Sequence, residues 1–347
     1  LCASRAAWLE LTVTMMWITL PSGHRFSSQA GQSLLDAAQL AGITLPHSCR
    51  TGRCSACKAT VAAGETHALR DEPGLSPLER DAGWILSCVR AASTDVELII
   101  EDLGDITVYP PRTWPARIQG LDRLASDVLR VVLRLPPAAN FQYHPGQYIE
   151  LIGPGGVRRS YSLAQGADPA GPLELHIRRV DAGVLSRYWF EQAQVNDLLR
   201  LNGPLGTFFL RDVHQHDLVF LATGTGIAPV KAMIEGLSRP GQPEMPRSIS
   251  IYWGGRLPAD LYWSPDGSAQ GIVFTPVLSR ADDSWSGERG HVQQVLMHHS
   301  VDRDWTRTRV YACGSDAMIQ SAKLVLSQAG LDPRHFHADA FVSSAPA

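Results

Sequence analysis

Residues 49–57 read Cys49-Arg50-Thr51-Gly52-Arg53-Cys54-Ser55-Ala56-Cys57, and Cys88 follows after residues 58–87. A Cys-x4-Cys-x2-Cys…Cys spacing is that of the ligands to a plant-type [2Fe-2S] cluster. Thiolates packed this closely make the backbone wrap round a small anionic inorganic core, with its N–H groups pointing at sulfur. Gly52 suits such a wrap because a residue without Cβ adopts φ > 0 freely. Cys88 follows the apolar run Trp84-Ile85-Leu86-Ser87, which predicts a short strand holding the fourth ligand, at its end, against the loop. A lone Cys-x2-Cys also fits zinc or thiol redox chemistry. Structural zinc usually uses two such pairs and the second is missing here, so the spacing favours the cluster over zinc, with a disulfide less favoured still.

Working outward, Trp17-Ile18-Thr19-Leu20 and Arg25-Phe26-Ser27-Ser28 flank Pro21-Ser22-Gly23-His24, a hairpin signal. Ser33 is placed to cap a helix over residues 34–40 that Gly42 stops. Residues 95–100 begin with strand-like alternation. A small sheet, one helix and a long cysteine loop outline a β-grasp ferredoxin domain over residues 15–108. Residues 1–14 read as an upstream, disordered extension, since the chain begins with Leu1 and Met15 and Met16 follow. Their faint likeness to a signal peptide is broken by Glu10, and residues 11–20 fall short of the roughly 18 needed to span a bilayer.

Pro110, Pro111 and Pro115 mark residues 109–115 as a linker. Residues 116–212 alternate short apolar runs with turns, such as Val128 to Leu133, Tyr148 to Ile152 and Leu173 to Ile177, which predicts an antiparallel β-barrel. From about residue 213 to 347 the rhythm changes to strand, helix, strand, beginning with Leu218-Val219-Phe220-Leu221-Ala222, the pattern of a parallel α/β sheet. The chain is therefore read as a multidomain protein, part all-β and part α/β. Its 347 residues suit two or three domains.

The net charge of −3, with no run of lysines and arginines, argues against a nucleic-acid partner. Of the six cysteines, four belong to the cluster motif; Cys2 and Cys313 stand far apart, unlike a secreted disulfide framework. A cytoplasmic protein with no membrane partner is expected.

Three further stretches carry chemistry. In Arg158-Arg159-Ser160-Tyr161-Ser162, alternation sends Arg159 and Tyr161 away from Ser160 and Ser162. One flat ligand can meet all of them only where the strand ends. A surface arginine beside a half-buried tyrosine is the plainer reading of these residues alone. Gly183-Val184-Leu185-Ser186 predicts a helix start whose free N–H groups suit a pyrophosphate, or an ordinary helix cap. Thr223-Gly224-Thr225-Gly226-Ile227-Ala228-Pro229, between a strand and a helix, departs from G-x-G-x-x-G because Pro229 stands at the third glycine's place. Proline is tolerated in a helix's first turn, so the turn can still offer backbone donors to a dinucleotide. Cys313-Gly314 again joins a strand to a helix; Cys313 is either a small buried residue or a neighbour of a nicotinamide ring.

Taken in this order, the motifs resemble the ferredoxin–NADP reductase superfamily in its three-module form. The resemblance runs from Met16 onward. It implies a [2Fe-2S] cluster on Cys49, Cys54, Cys57 and Cys88, FAD, and NADH or, less favoured, NADPH. By this resemblance Arg159 meets the flavin phosphate, Tyr161 the isoalloxazine and Ser162 its N5. His176, Ile177 and Arg178 join Gly183, Val184 and Ser186 as further cofactor-binding positions. Thr223, Gly224, Thr225, Gly226, Pro229, Arg256, Cys313 and Gly314 are assigned to the nucleotide, with Tyr161, Ser162 and Cys313 nearest the chemistry. Stretches such as Leu45-Pro46-His47-Ser48-Cys49 and Tyr252-Trp253-Gly254-Gly255-Arg256 are similar to the CDP-6-deoxy-Δ3,4-glucoseen reductase group, and His337-Ala338-Asp339-Ala340-Phe341 to the reductase components of aromatic-ring dioxygenases. The implied activity is electron transfer from NAD(P)H to a partner protein, a pyridoxamine-phosphate-dependent deoxysugar dehydratase or an oxygenase component. An electron carrier without nicotinamide turnover is the third reading, which fails if the purified protein oxidises NADH with ferricyanide or cytochrome c as acceptor. Ser55 stands where the family often has glycine, an expected influence on a hydrogen bond to sulfur. Arg50, Arg53 and Lys58 suggest a locally basic docking face, or simply a solvated loop.

Overall fold

The computed structural model describes residues 15–104, 106–181, 183–239, 245–265 and 271–341; the expected extension, residues 1–14, lies outside the described residues. The chain forms two compact units, Leu1–Ile106 and Thr107–Ala347.

In the first unit β1 (Met15–Thr19) and β2 (Arg25–Gln29) pair antiparallel around the expected turn. The Ser33 hydroxyl accepts the Asp36 N–H at 3.1 Å and so caps α1 (Leu34–Leu40). There follow β3 (Lys58–Ala63), β4 (Thr66–Ala68), α2 (Pro77–Asp81), β5 (Trp84–Leu86), β6 (Arg90–Ala92) and β7 (Val96–Ile99). The main sheet has the order β2-β1-β7-β3-β5, with β1 and β7 parallel and the other pairs antiparallel. Alternation in β1 turns Met16 and Ile18 inward, where they meet Phe26, Leu34, Leu35 and Leu98. This is the expected β-grasp. Cys88, expected at a strand end, instead sits in a single 3-10 turn, Ser87–Val89, beyond β5.

The second unit opens with β8 (Arg112–Ala125), β9 (Val128–Arg134), β10 (Tyr148–Ile152), β11 (Arg158–Ser162), β12 (Leu173–Arg178), α3 (Val184–Arg187) and β13 (Leu198–Leu205). The strands run β11-β10-β13-β8-β9-β12, each pair antiparallel, and a bridge from Leu163 to Leu175 closes them into a barrel. Ile118, Val131, Leu133, Ile149, Leu151 and Leu175 fill it. Residues 112–115 of the expected linker belong to β8. Pro115 is accommodated because it lies opposite Arg200 of β13, while β9 joins β8 only from Arg117, so one edge there needs no donor.

The rest of this unit comprises β14 (Asp217–Thr223), α4 (Ile227–Leu237), β15 (Ser248–Gly255), β16 (Ile272–Leu278), β17 (Glu288–Arg289), α5 (Val292–His298), β18 (Thr308–Gly314), α6 (Asp316–Gln328) and β19 (Phe336–Ala340). The sheet order is β17-β16-β15-β14-β18-β19, parallel throughout. Leu218 to Ala222 are buried on both faces, as a central parallel strand requires. From β14 the chain winds outward through β15 to β17 and returns to the other side of β14 at β18. The switch between β14 and β18 is where such sheets open a crevice for ligands.

Candidate cofactor sites

The cysteine loop brings all four predicted ligands together as two pairs, Cys49 with Cys54 and Cys57 with Cys88. Backbone N–H groups point at sulfur: Thr51 and Cys54 at the Cys49 Sγ, both at 3.4 Å, and Cys49 at the Cys54 Sγ at 3.3 Å. The Cys54 thiol and Thr51 hold Cys49 down at about 4 against its burial, and the same contact together with burial pushes Cys54 up; Cys88 and Cys57 divide in the same way, so each pair favours one thiolate. The Ser87 N–H bonds the Cys57 carbonyl at 3.0 Å, which keeps the second pair adjacent. Among the described residues no group of three or more His, Cys, Asp or Glu converges on one metal-ion position. Two pairs of thiols suit a group with two metal atoms better than a single zinc. Gly52 has φ +76°, and a Cβ there would lie 2.8 Å from the Asp71 carbonyl oxygen.

Ser55 also adopts a left-handed backbone, φ 58°, and its hydroxyl donates to the Gly74 carbonyl. That bond, absent from the sequence reading, directs the hydroxyl to the loop's outer chain instead of to sulfur. The expected basic face is largely neutralised: Arg50 pairs with Asp36, and Lys58 with Glu79 while lying over the Trp84 ring.

In the barrel, β11 ends at Ser162, the condition under which one ligand can meet both faces of the motif. Arg159 is exposed and, among the described residues, donates only to the Arg158 carbonyl at 2.7 Å, leaving most of its fork for an anion. The Tyr161 hydroxyl accepts the Trp189 indole N–H at 3.2 Å, and burial pushes it up to about 12. It is a neutral ring held edge-on to Trp189. Ser162 is 7% exposed and makes no side-chain hydrogen bond among the described residues. The Ser186 hydroxyl, expected near a phosphate, accepts the Val180 N–H at 2.8 Å and so braces its own loop.

A cleft of about 630 Å³ opens at the C-terminal edge of the parallel sheet. Of the predicted residues, Thr223, Gly224, Thr225, Arg256, Gly314 and, from the barrel, Arg178 line it. Arg178 is anchored by Asp127 at 2.8 Å. The Thr223 hydroxyl accepts the Ser315 N–H at 2.9 Å and ties the two glycine turns together. Gly226, Pro229 and Cys313 are not on the wall. Cys313 is fully buried, and burial pushes its thiol up, so it is a neutral packing residue beneath the cleft floor. Ile177 is likewise barrel core. The sequence reading missed Ser279, His291 and Gln293, which also line the cleft; their signal was position, since Ser279 directly follows β16 and the other two open α5.

His176 and Glu174 leave the outer face of β12. Burial pushes the Glu174 carboxyl up, but His176 at 3.0 Å, Lys231 at 3.1 Å and Arg130 at 2.8 Å outweigh it and hold the group at about 2. Burial lowers His176 below its ordinary value. Both shifts are depressions, so both stabilise at neutral pH and are lost on acidification, His176 below about 6.5 and Glu174 between about 4.5 and 2. Glu174→Gln should cost roughly 1 to 3 kcal/mol at pH 7. The gap to wild type should shrink as pH falls to 3.5, which urea unfolding at the two pH values measures; an unchanged gap would mean that the carboxylate's charge is not what stabilises.

Three family descriptions match the chain: a 2Fe-2S iron-sulfur cluster binding domain over residues 18–93, an oxidoreductase FAD-binding domain over 115–210 and an oxidoreductase NAD-binding domain over 220–324. The chain is 37% identical over 330 residues to the CDP-6-deoxy-L-threo-D-glycero-4-hexulose-3-dehydrase reductase of Yersinia pestis, covering 93% of this chain and 97% of that protein. It is 34% identical over 334 residues to the aromatic O-demethylase reductase subunit of an Amycolatopsis species, covering 92% and 96%. Among solved structures, the Amycolatopsis cytochrome P450 reductase GcoB matches with a TM-score of 0.68 and 31% identity over 94% of this chain and 98% of that one. Among the described residues no helix is long and apolar enough to cross a membrane. Relatedness at this level, along nearly the whole of each chain, means that the protein belongs to the ferredoxin–NADP reductase family, as an iron–sulfur flavoprotein oxidoreductase that uses a nicotinamide nucleotide.

Proposed function

We propose that this reductase takes electrons from NADH, passes them through FAD to the [2Fe-2S] cluster and delivers them to a dehydratase acting on a nucleotide-linked deoxyhexulose. The match to the Yersinia reductase over nearly both full lengths supports that partner. Bound FAD would supply the conversion of a hydride pair into single electrons, which one cluster can carry. The chain's own contribution is placement. Arg159 would hold a flavin phosphate, Tyr161 the ring and Ser162 its reactive nitrogen, with His176, Ile177, Arg178, Gly183, Val184 and Ser186 shaping the remainder. Thr223, Gly224, Thr225, Arg256 and Gly314 would seat the nucleotide, with Gly226, Pro229 and Cys313 buried behind the wall and supporting it, and Cys49, Cys54, Cys57 and Cys88 would hold the cluster. The observation that carries this reading is the cleft at the β14–β18 switch, into which Arg178 of the barrel reaches beside the Gly224 turn.

The relation to the aromatic O-demethylase reductase supports a second reading, an oxygenase partner. Anaerobic mixing of the NADH-reduced holoprotein with a hexulose-3-dehydrase and with an oxygenase component separates them. Faster reoxidation by the dehydratase, at least about tenfold, is expected; preference for the oxygenase overturns the first reading.

NADH should be preferred to NADPH. Arg256 is the basic side chain where an added phosphate would lie, and the Asp260 carboxylate beside it accepts the Arg256 and Leu257 N–H groups at 2.8 and 3.1 Å. Asp260→Asn keeps an acceptor and removes the charge, so kcat/KM for NADPH should rise about tenfold, the equivalent of about 1.4 kcal/mol, with that for NADH little changed. No gain with NADPH would remove Asp260 from the account of specificity.

A further inference from the structure

Helix α4 begins at the nucleotide turn, and one face of it grips the chain that leaves the flavin strand. Lys231 Nζ donates to the Ala164 carbonyl at 2.8 Å, Glu235 accepts the Gly166 N–H at 2.9 Å, and Arg239, just past the helix, donates to the Gly166 carbonyl at 3.1 Å. Residues 164–166 follow Tyr161 and Ser162 almost directly. Lys231 also pairs with Glu235 at 2.7 Å and with Glu174 of β12 at 3.1 Å, and the Ala164 N–H bonds the Glu174 carbonyl at 2.8 Å. Lys231 thus stands two residues beyond Pro229 and holds three acceptors that all belong to, or are fixed against, the flavin barrel and its exit. Only 14% of its side chain is exposed.

Buried ion pairs of this kind add little stability over apolar side chains of the same shape, and where they are useful they fix register. The register fixed here is that between the Gly224–Pro229 turn and the Tyr161–Ser162 strand end. Hydride transfer needs its reacting atoms about 3 to 3.5 Å apart, and a 1 Å misplacement costs about 100-fold. We propose that Lys231 is a positioning residue for hydride transfer, setting the approach of the bound nicotinamide to the flavin. This rests on the reading that the cleft takes NADH and that Tyr161 and Ser162 face the flavin.

The test uses the FAD- and cluster-loaded protein in anaerobic stopped-flow mixing with NADH. Lys231→Met, which keeps the stem and loses the charge, should slow flavin reduction about 10- to 100-fold while the NADH Kd stays within about threefold. The long-wavelength charge-transfer absorbance of stacked nicotinamide and flavin should weaken in parallel, and Lys231→Arg should recover much of both. A Lys231→Met protein with wild-type rate and wild-type charge-transfer absorbance overturns the proposal. If wild type itself shows neither NADH bleaching nor that absorbance, the underlying site reading fails instead. Should Lys231→Met lose FAD or melt early, Glu235→Gln decides. It retains an acceptor for Gly166 and breaks only the ion pair, so with unchanged Tm and FAD content it should slow flavin reduction about three- to tenfold; an unchanged rate then overturns the proposal.

Discussion

Cys57→Ser should strip the [2Fe-2S] cluster and cut NADH-driven cytochrome c reduction on the order of 100-fold, while NADH still reduces the flavin at its wild-type rate. Cys57 is 2% exposed and directly precedes β3, with its carbonyl fixed by the Ser87 N–H at 3.0 Å. The Cys57–Cys88 pair therefore cannot be replaced from solvent or by swinging in another side chain. Serine is the same size, but its oxygen is a poor substitute for a soft thiolate on iron, and loss of one ligand from a loop organised around the cluster loosens the other three. The nicotinamide and flavin residues lie in the other compact unit, so the two activities should separate. Iron and acid-labile sulfide per chain give the first readout, and ferricyanide reduction beside cytochrome c reduction gives the second. Full iron content with intact cytochrome c reduction would remove Cys57 from the ligand set. Zinc without sulfide in the wild-type protein would overturn the cluster assignment itself.

The cysteine loop was legible because its chemistry is local: three of its four thiols and the Gly52 turn fall within residues 49–57, and one run of chain says what they bind. The hairpin turning at Pro21 to His24 and the Ser33 cap were legible for the same reason. The basic face suggested by Arg50 and Lys58 misled, since their neutralising partners, Asp36 and Glu79, are 14 and 21 residues away and no spacing rule pairs them. Lys231 and Glu235 are a helix pair that sequence can show, but their function depends on Glu174 and Ala164, 57 and 67 residues earlier. Only the register of β12 and the exit of β11 bring those groups to α4. Cys313 shows the opposite limit. Its neighbourhood at the end of β18 was readable, but whether it faces the cleft or lies beneath it depends on side-chain packing, and it lies beneath.

Gly226→Ala should do more damage than Gly224→Ala, although Gly224 has the unusual backbone. At Gly226, φ is an ordinary −59°, so alanine brings no conformational strain. Its Cβ would, however, fall 2.3 Å from the Cys313 carbonyl oxygen and 2.9 Å from the Gly314 Cα. Both are backbone atoms at the end of a central strand paired to β14 and β19, so the turn must move instead. Moving it breaks the Thr223–Ser315 tie and shifts the start of α4 relative to the cleft. Overpacking of this kind costs about 1 to 3 kcal/mol, and a shift near 1 Å should lower NADH-driven flavin reduction about 100-fold. At Gly224, φ is +54° and a Cβ would meet only the Arg178 Nη1, at 2.8 Å. A left-handed alanine costs about 1 to 2 kcal/mol, but the atom met is the Nη1 tip of Arg178, which can yield more readily than strand backbone even with its Nε held by Asp127, so a loss nearer tenfold is expected there, at about 1.4 kcal/mol per decade. Dithionite should reduce the flavin fully in both variants, and iron per chain should match wild type, which confines the defect to the nucleotide turn. Equal losses in the two variants would mean that backbone conformation, and not the close approach of the turn to β18, limits the site.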